Sequence, residues 1–148
     1  MVINCTGALF SFEGLDADGA AELLVDLLGV SYADALTETK HCRGPNVRLS
    51  WLRDEYRRLC DDMRWSEAAR AYLLHLVGCT IFADKSSTSV GVVFLEAFCD
   101  LSTCGGYAWG ASALAYMYDH LKDASFHRTR QLAGYITIVQ VNSVLSIF

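Results

Sequence analysis

The segment from Ala68 to Phe82 constrains the fold of this chain more than any other part of the sequence. Its side chains are apolar on nearly every side of a helix, and Arg70 and His75 interrupt the pattern. A helix that is apolar all round belongs in the interior of a domain. The nearly apolar run over 71–83 is too short to span a bilayer, which takes about 20 residues. The sequence therefore predicts a central, buried helix with other helices packed around it.

The residues near the start of the chain carry the signals of a first helix. Asp16 or Asp18 suits the N-cap, because a carboxylate accepts hydrogen bonds from the free N–H groups of the first turn. Apolar side chains then recur at helical spacing over 19–28. Gly29 is a natural C-terminal stop. The pattern predicts an amphipathic helix over 19–28.

Two more helices are predicted before the central segment. Ser31 suits the N-cap of a short helix that runs to about Thr39. The clearest amphipathic helix starts at Asn46 or Ser50 and ends near Met63, with charged residues on its solvent side. The apolar stripe that we expect it to bury consists of Leu52, Tyr56, Leu59, Cys60 and Met63.

The second half of the chain is less regular. Ser66 suits the N-cap of the central helix, and the β-branched residues of 90–94 favour a short strand. Residues 95–101 and 108–122 have helical patterns. The apolar stretch 128–141 is predicted to be a helix, with a strand as the alternative.

These elements predict a mainly α, effectively all-α fold, an irregular bundle of about six to seven helices. Pro45 is the only proline, and no Gly/Ser linker, repeat or charge block divides the chain. We therefore read 1–148 as one domain. It has an irregular N-terminal segment over 1–14 and an atypical tail over 141–148.

Composition narrows the class of protein. Apolar residues make up 53% of the chain, too many for a disordered tail, and this excess indicates apolar surface covered by a partner. The net charge of −5 argues against sequence-independent nucleic-acid binding. The 6 cysteines form no CxxC pair, and no secretory signal opens the chain, so a reducing compartment is expected.

Lys85 lies in a segment that superficially resembles a phosphate-binding loop. That motif needs Gly immediately before the Lys and another Gly five residues earlier, where this chain has Asp84 and Cys79. A transferase with pyridoxal phosphate on Lys85 is an alternative, although nothing in the sequence supplies a phosphate cup for that cofactor. The sequence predicts no catalytic residue and no cofactor.

Histidine and cysteine residues offer two candidate zinc groups. A closed zinc site usually pairs ligands two to four residues apart on two knuckles. Neither group has a second knuckle, so no metal site is predicted. The groups are His41 and Cys42 with Cys60, and His120 with Cys99 and Cys104.

Several separate blocks of the chain form a recognisable pattern in order and spacing. They are CRG at 42–44, VRLSWL at 47–52, AARAYLLHLVGCT at 68–80, IFADKS at 81–86, YAWGASAL at 107–114 and RQLAGYI at 130–136. Together they resemble the plant mobile domain, also labelled aminotransferase-like plant mobile domain, of the MAINTENANCE OF MERISTEMS-like family.

The resemblance implies a nuclear plant protein of a family shared with transposable elements. Such proteins are associated with meristem maintenance, genome stability and transposon silencing. The resemblance implies a phosphatase-7-like partner, or another mobile-domain protein, and it supplies no catalytic residues. Family members usually extend upstream of 11–13 and continue beyond Gln140, so we expect this chain to be a partial domain, truncated at both ends.

The resulting hypothesis is a non-enzymatic protein–protein interaction module. The candidate packing and docking residues are Trp51, Tyr56, Trp65, Tyr107, Trp109 and Tyr116. The main alternative is a nucleic-acid-binding domain derived from a transposable element. Its candidate contacts are Arg43, Arg48, Arg53, Arg57, Arg58 and Arg64.

Overall fold

The computed structural model describes residues 14–83 and 88–126, and these are mainly helical. The elements are α1 (Ala17–Leu28), α2 (Tyr32–His41), β1 (Asn46–Arg48), α3 (Leu49–Asp61), α4 (Trp65–Cys79), β2 (Ser89–Gly91), a 3-10 helix (Val92–Phe98), a shorter 3-10 helix (Cys104–Gly106) and α5 (Trp109–Phe126). The predicted mainly α fold is confirmed. The predicted helix over 128–141, the tail over 141–148 and residues 1–13 lie outside the described residues.

The first two helices begin and end where local chemistry places them. The side chain of Asp16 accepts a hydrogen bond of 2.7 Å from the backbone N–H of Gly19, as expected for the N-cap. Gly29 ends α1 in the left-handed conformation, with φ 62°. Ser31 caps α2 by accepting from the N–H of Asp34. Both predicted caps are confirmed, and α1 begins slightly earlier than predicted.

A short antiparallel ladder was missing from the sequence prediction. Asn46 pairs with Gly91, and Val47 pairs with Val90. Both valines are buried, so the ladder adds to the core. Because residues 46–48 are a strand, the helix predicted to start at Asn46 or Ser50 begins at Leu49.

The prediction for 90–94 and 95–101 was partly wrong. The strand β2 starts at Ser89 and ends at Gly91. Residues Val92–Phe98 then form a 3-10 helix, neither the rest of a strand nor an α-helix. Five of its side chains are buried, and they hold this turn against the core: Val92, Phe94, Leu95, Ala97 and Phe98.

The central helix α4 buries one side in the core. Its buried positions are Ala68, Ala71, Leu74, Val77 and Gly78. A Cβ atom on Gly78 would lie 2.7 Å from Cβ of Val90 and 3.0 Å from Cδ2 of Leu49, so the absence of a side chain lets α4 approach β2 and α3 closely.

The prediction that α4 is buried on all sides was wrong. Large side chains remain exposed on its other side, and α4 ends at Cys79, before Phe82. The predicted cap at Ser66 was also wrong, because α4 begins at Trp65. The residue before it, Arg64, makes no side-chain cap.

Arg70, the charged residue within the apolar segment, has a structural role. Its guanidinium donates to the carbonyl oxygens of Phe98 and Cys99 at 3.0 Å each and to that of Leu27 at 3.3 Å. The carbonyls of Phe98 and Cys99 lie at the end of the 3-10 helix, and the carbonyl of Leu27 lies in the last turn of α1. Arg70 therefore satisfies orphan carbonyl groups and ties three elements together.

A buried carboxylate joins α2 to β1. Glu38 is 3% exposed, and its Oε1 accepts from the backbone N–H of Arg48 at 2.9 Å and from Nε at 2.8 Å. The Oε2 atom of Glu38 accepts a hydrogen bond of 2.6 Å from Nη2 of Arg48. Burial alone would raise the pKa of Glu38, but the hydrogen bonds from Arg48 outweigh it and hold the pKa below its ordinary value.

Aromatic rings attach α5 to the rest of the domain. The rings of Phe82 and Phe94 stack with centroids 3.9 Å apart, and Tyr116 packs edge-on to Phe82 at 5.3 Å. Trp109 stacks on Phe98 at 5.4 Å. Within residues 14–83 and 88–126, no helix is both long and apolar enough to cross a membrane.

Candidate docking surface

Helices α3 and α4 form a hairpin with an outer face that the core does not cover. Only residues 62–64 join them, so the two helices pack as antiparallel neighbours. The rings of Tyr56 on α3 and Tyr72 on α4 lie 5.8 Å apart, which places both near one groove. Arg53 and His75 complete the lining of this groove.

The outer side of α4 exposes three large side chains in one row. Trp65 is 65% exposed, Tyr72 51% and Leu76 42%. They are spaced by seven and four residues, which puts them on one side of a helix. We call Tyr56, Trp65, Tyr72 and Leu76 the α3–α4 surface. Clustered exposed apolar side chains of this kind mark interaction sites.

The concentration of exposed apolar side chains in this hairpin distinguishes it from the other described elements. Among the described residues, six large apolar side chains are exposed, and four of them belong to α4 or to the turn before it. That turn contributes Met63, whose φ is 55°. The other two, Tyr32 on α2 and Tyr118 on α5, lie on other helices.

The edge of the surface on α3 is basic. Arg53 and Arg57 are four residues apart and both contact the carboxylate of Asp54, at 3.3 and 3.8 Å. All three side chains are more than half exposed. Two guanidinium groups share one carboxylate here, and the exposed Asp61 lies one turn beyond Arg57. Among the described residues, the groove itself is lined by Arg53 and by no carboxylate, so the positive charge is local to the edge next to the groove.

Polar contacts within the groove orient its side chains. On α4, Nδ1 of His75 lies 3.7 Å from Sγ of Cys79. On α3, a side-chain hydrogen bond with Cys60 raises the pKa of Tyr56 above its ordinary value. A tyrosine hydroxyl can both donate and accept a hydrogen bond, so Tyr56 offers both to a partner.

Five of the six predicted packing residues, all except Trp65, are partly buried and pack on the core. Trp65 is exposed. Tyr56 also lines the groove, and with Trp65 it belongs to the α3–α4 surface. Sequence reasoning missed Tyr72 and Leu76, although their spacing from Trp65 was available, because every side of this helix was assigned to the core.

The six predicted nucleic-acid contacts lie on several elements, and most of them pair with carboxylates. Arg48 pairs with buried Glu38. Arg53 and Arg57 pair with Asp54. The other ion pairs are Arg58 with Glu55 and Asp62, and Arg64 with Glu67. Arg43 lies in the turn after α2 with φ 56°, and within the described part of the chain it has no ion pair.

Only some of the candidate zinc and cofactor residues lie in the described part of the chain. Among residues 14–83 and 88–126, no group of three or more His, Cys, Asp or Glu side chains could hold a metal ion. Lys85 and the side chain of His120 lie outside the described residues. Cys42 contacts Glu38, and burial is the main reason why the pKa of its thiol is raised.

A second concave feature lies beside the β-ladder. It is a cavity of about 240 Å³, and its polar lining is limited to a few groups such as Asn46 and Tyr116. Phe82, Val90 and Phe94 form much of its wall. Among the described residues, its lining contains no carboxylate, histidine, lysine or arginine.

A match to a family model identifies the family of this chain. The family model described as Plant mobile domain matches residues 15–144. The chain belongs to the plant mobile domain family. The match covers the whole described structure except Gly14, including the α3–α4 surface. No solved structure matches the chain.

The chain is similar to curated proteins from Arabidopsis thaliana. Protein MAIN-LIKE 2 is 41% identical over 66% of the chain and 15% of its own length. Protein MAINTENANCE OF MERISTEMS is 34% identical over 66% of the chain and 21% of its length. Serine/threonine-protein phosphatase 7 long form homolog is 30% identical over 82% of the chain and 9% of its length. The chain thus spans about a fifth or less of these relatives.

Proposed function

We propose that this plant mobile domain is a non-enzymatic protein–protein interaction module. The α3–α4 surface carries the proposal, because Trp65 and Tyr72 are exposed on one side of a rigid helix. Tryptophan, tyrosine and arginine are the residue types that most often dominate binding energy at protein interfaces. The groove at Tyr56 offers a place where an apolar partner side chain is excluded from water.

We also propose a setting for this module. We propose that it belongs to a nuclear plant protein with a role in meristem maintenance, genome stability and silencing of transposons and genes. The proposed partner is a phosphatase-7-like subunit or another mobile-domain protein. The names of the relatives support this choice, since the chain is similar both to a MAIN-LIKE protein and to a phosphatase 7 long form homolog.

Nucleic-acid binding through the six arginines stays a prediction. Five of the six are paired with carboxylates and the six are spread over several elements, so they form no run of unpaired guanidinium groups for successive phosphate groups. The interaction proposal explains the exposed rings as well, which phosphate contacts leave unexplained.

Affinity capture from plant nuclei tests the proposal. The tagged full-length protein is compared with a variant that carries Tyr72→Ala and Leu76→Ala, and with Tyr32→Ala as a matched control. Tyr32 is 46% exposed but lies on α2. We expect the double variant to lose a phosphatase-7-like subunit or mobile-domain protein that the control retains. Equal recovery by the double variant and the control would contradict the proposal.

A further inference from the structure

We infer that the α3–α4 surface receives an α-helix of another protein, in which apolar side chains are flanked by carboxylates. This inference rests on the proposed function and specifies the chemistry of the partner. Three observations carry it: the shape of the surface, the charge of its edge and the nature of the other exposed faces of this chain.

The shape favours a helix. Two antiparallel helices leave a groove between them, and a third helix packs into such a groove with its side chains between those of the pair. The apolar row from Trp65 to Leu76 covers eleven residue steps, about 16 Å at 1.5 Å per residue. That length fits about three turns of a partner helix, with apolar anchors at i, i+3 or i+4, and i+7.

The charge of the edge favours carboxylates on that helix. Arg53 lines the groove, whose described lining contains no carboxylate, and it shares the carboxylate of Asp54 with Arg57. The chain as a whole has 17 acidic and 12 basic residues, so this positive edge is a local exception. Opposite charges at the rim of an interface set the orientation of the partner and suppress wrong partners.

A second copy of this chain fits less well. Its acidic face is on α1, where Asp18, Glu22 and Asp26 are exposed at intervals of four residues. No large apolar side chain of α1 is exposed, and Leu24 and Leu28 on its inner side are buried. Two copies that met through their α3–α4 surfaces would offer no carboxylate from the described groove lining of either copy to face Arg53. The partner is therefore a different chain, with acidic and apolar groups on one helix.

Fluorescence anisotropy with designed peptides tests the inference. The probes are labelled helical peptides of about three heptads with Leu at the apolar positions. Their flanking positions carry Glu, Gln or Lys. We expect the 148-residue chain to bind the Glu peptide at least about tenfold more tightly than the Lys peptide, with a preference that shrinks as salt rises.

Two variants separate charge from apolar contact. Arg53→Glu with Arg57→Glu should reverse the preference between Glu and Lys peptides, and Tyr72→Ala should weaken the binding of both. Lys40→Glu with Arg43→Glu changes the net charge by the same amount at the end of α2. This control should keep the preference of the unaltered chain. Circular dichroism confirms that each variant is folded.

Several outcomes overturn the inference. They are equal binding of Glu and Lys peptides, no binding of any peptide, self-association that Tyr72→Ala abolishes, or displacement of the Glu peptide by a single-stranded oligonucleotide. Partner capture distinguishes this failure from failure of the proposed function. If Tyr72→Ala with Leu76→Ala loses the partner but the arginine variant keeps it, only the acidic chemistry is wrong.

Discussion

The two sides of α4 have similar hydrophobicity and opposite environments. The inner side carries mostly small or medium side chains such as Ala71, Leu74 and Gly78, and it packs closely against β2 and α3. The outer side carries Trp65 and Tyr72, which are at least half exposed. The fold of the described residues therefore uses only one side of this helix. Apolar character alone therefore does not distinguish the buried side of a helix from its exposed side.

The largest expected effect comes from truncating one leucine on each side of α4. Leu74 is fully buried, so Leu74→Ala should lower the free energy of unfolding by about 3 kcal/mol through lost burial and a cavity. Leu76→Ala should change it by less than about 0.5 kcal/mol, because this side chain is 42% exposed. Urea unfolding followed by circular dichroism measures both. Equal losses of unfolding free energy in the two variants would mean that the two sides of α4 do not differ in burial.

A smaller effect extends the comparison to charged groups. Glu38→Gln removes the charge that Arg48 contacts inside the fold, and we expect a loss of about 2 kcal/mol at neutral pH. The matched change Asp54→Asn weakens an exposed pair and should cost less than about 1 kcal/mol. Urea unfolding at pH 7 measures both, and a larger loss for Asp54→Asn would contradict the assignment of Glu38 as the structural carboxylate.

The same carboxylate gives a pH dependence with a definite sign. The pKa of Glu38 is lower in the folded chain than its ordinary value of 4.5, so its stabilising contribution is fully present above that value. The contribution is lost as pH falls below 4.5 and through the folded pKa. Unfolding midpoints between about pH 6 and about pH 3 should fall less steeply for Glu38→Gln than for the unaltered chain. If the unfolding midpoints of the two proteins fell equally with pH, this account of Glu38 would be contradicted.

The smallest expected effect concerns the close approach of α4 to its neighbours. Alanine favours a helix over glycine by about 1 kcal/mol. At Gly78, however, a Cβ would come within 2.7 Å of Val90. We therefore expect Gly78→Ala to destabilise the chain by about 1 kcal/mol, measured as a lower melting temperature. A higher melting temperature would show that the inner side is loosely packed.

Local signals were sufficient for the first part of the fold. Asp16, Gly29 and Ser31 act through hydrogen bonds and dihedral angles within a few residues, so their roles could be predicted from sequence. The pairing of 46–48 with 89–91 could not, because strands of three residues carry little pattern and their partners are more than forty positions apart.

The candidate surface was predictable only in part. Trp65 and Tyr56 were singled out as interaction residues, but the row that joins Trp65 to Tyr72 and Leu76 was assigned to the core. In a helix that is apolar on all sides, periodicity does not show which side faces the protein interior. The decisive information is the position of α1, α3 and β2 around α4, which depends on contacts between distant parts of the chain.

The most direct test of the central claim is hydroxyl-radical footprinting of Trp65 and Tyr72. The oxidation rates of these side chains are measured in the isolated 148-residue chain and in the assembled complex from plant nuclei, with Tyr32 as the internal control. We predict rapid oxidation of both residues in the isolated chain, strong protection in the complex and an unchanged rate at Tyr32. Oxidation of Trp65 and Tyr72 at the same rate in both samples would contradict the account.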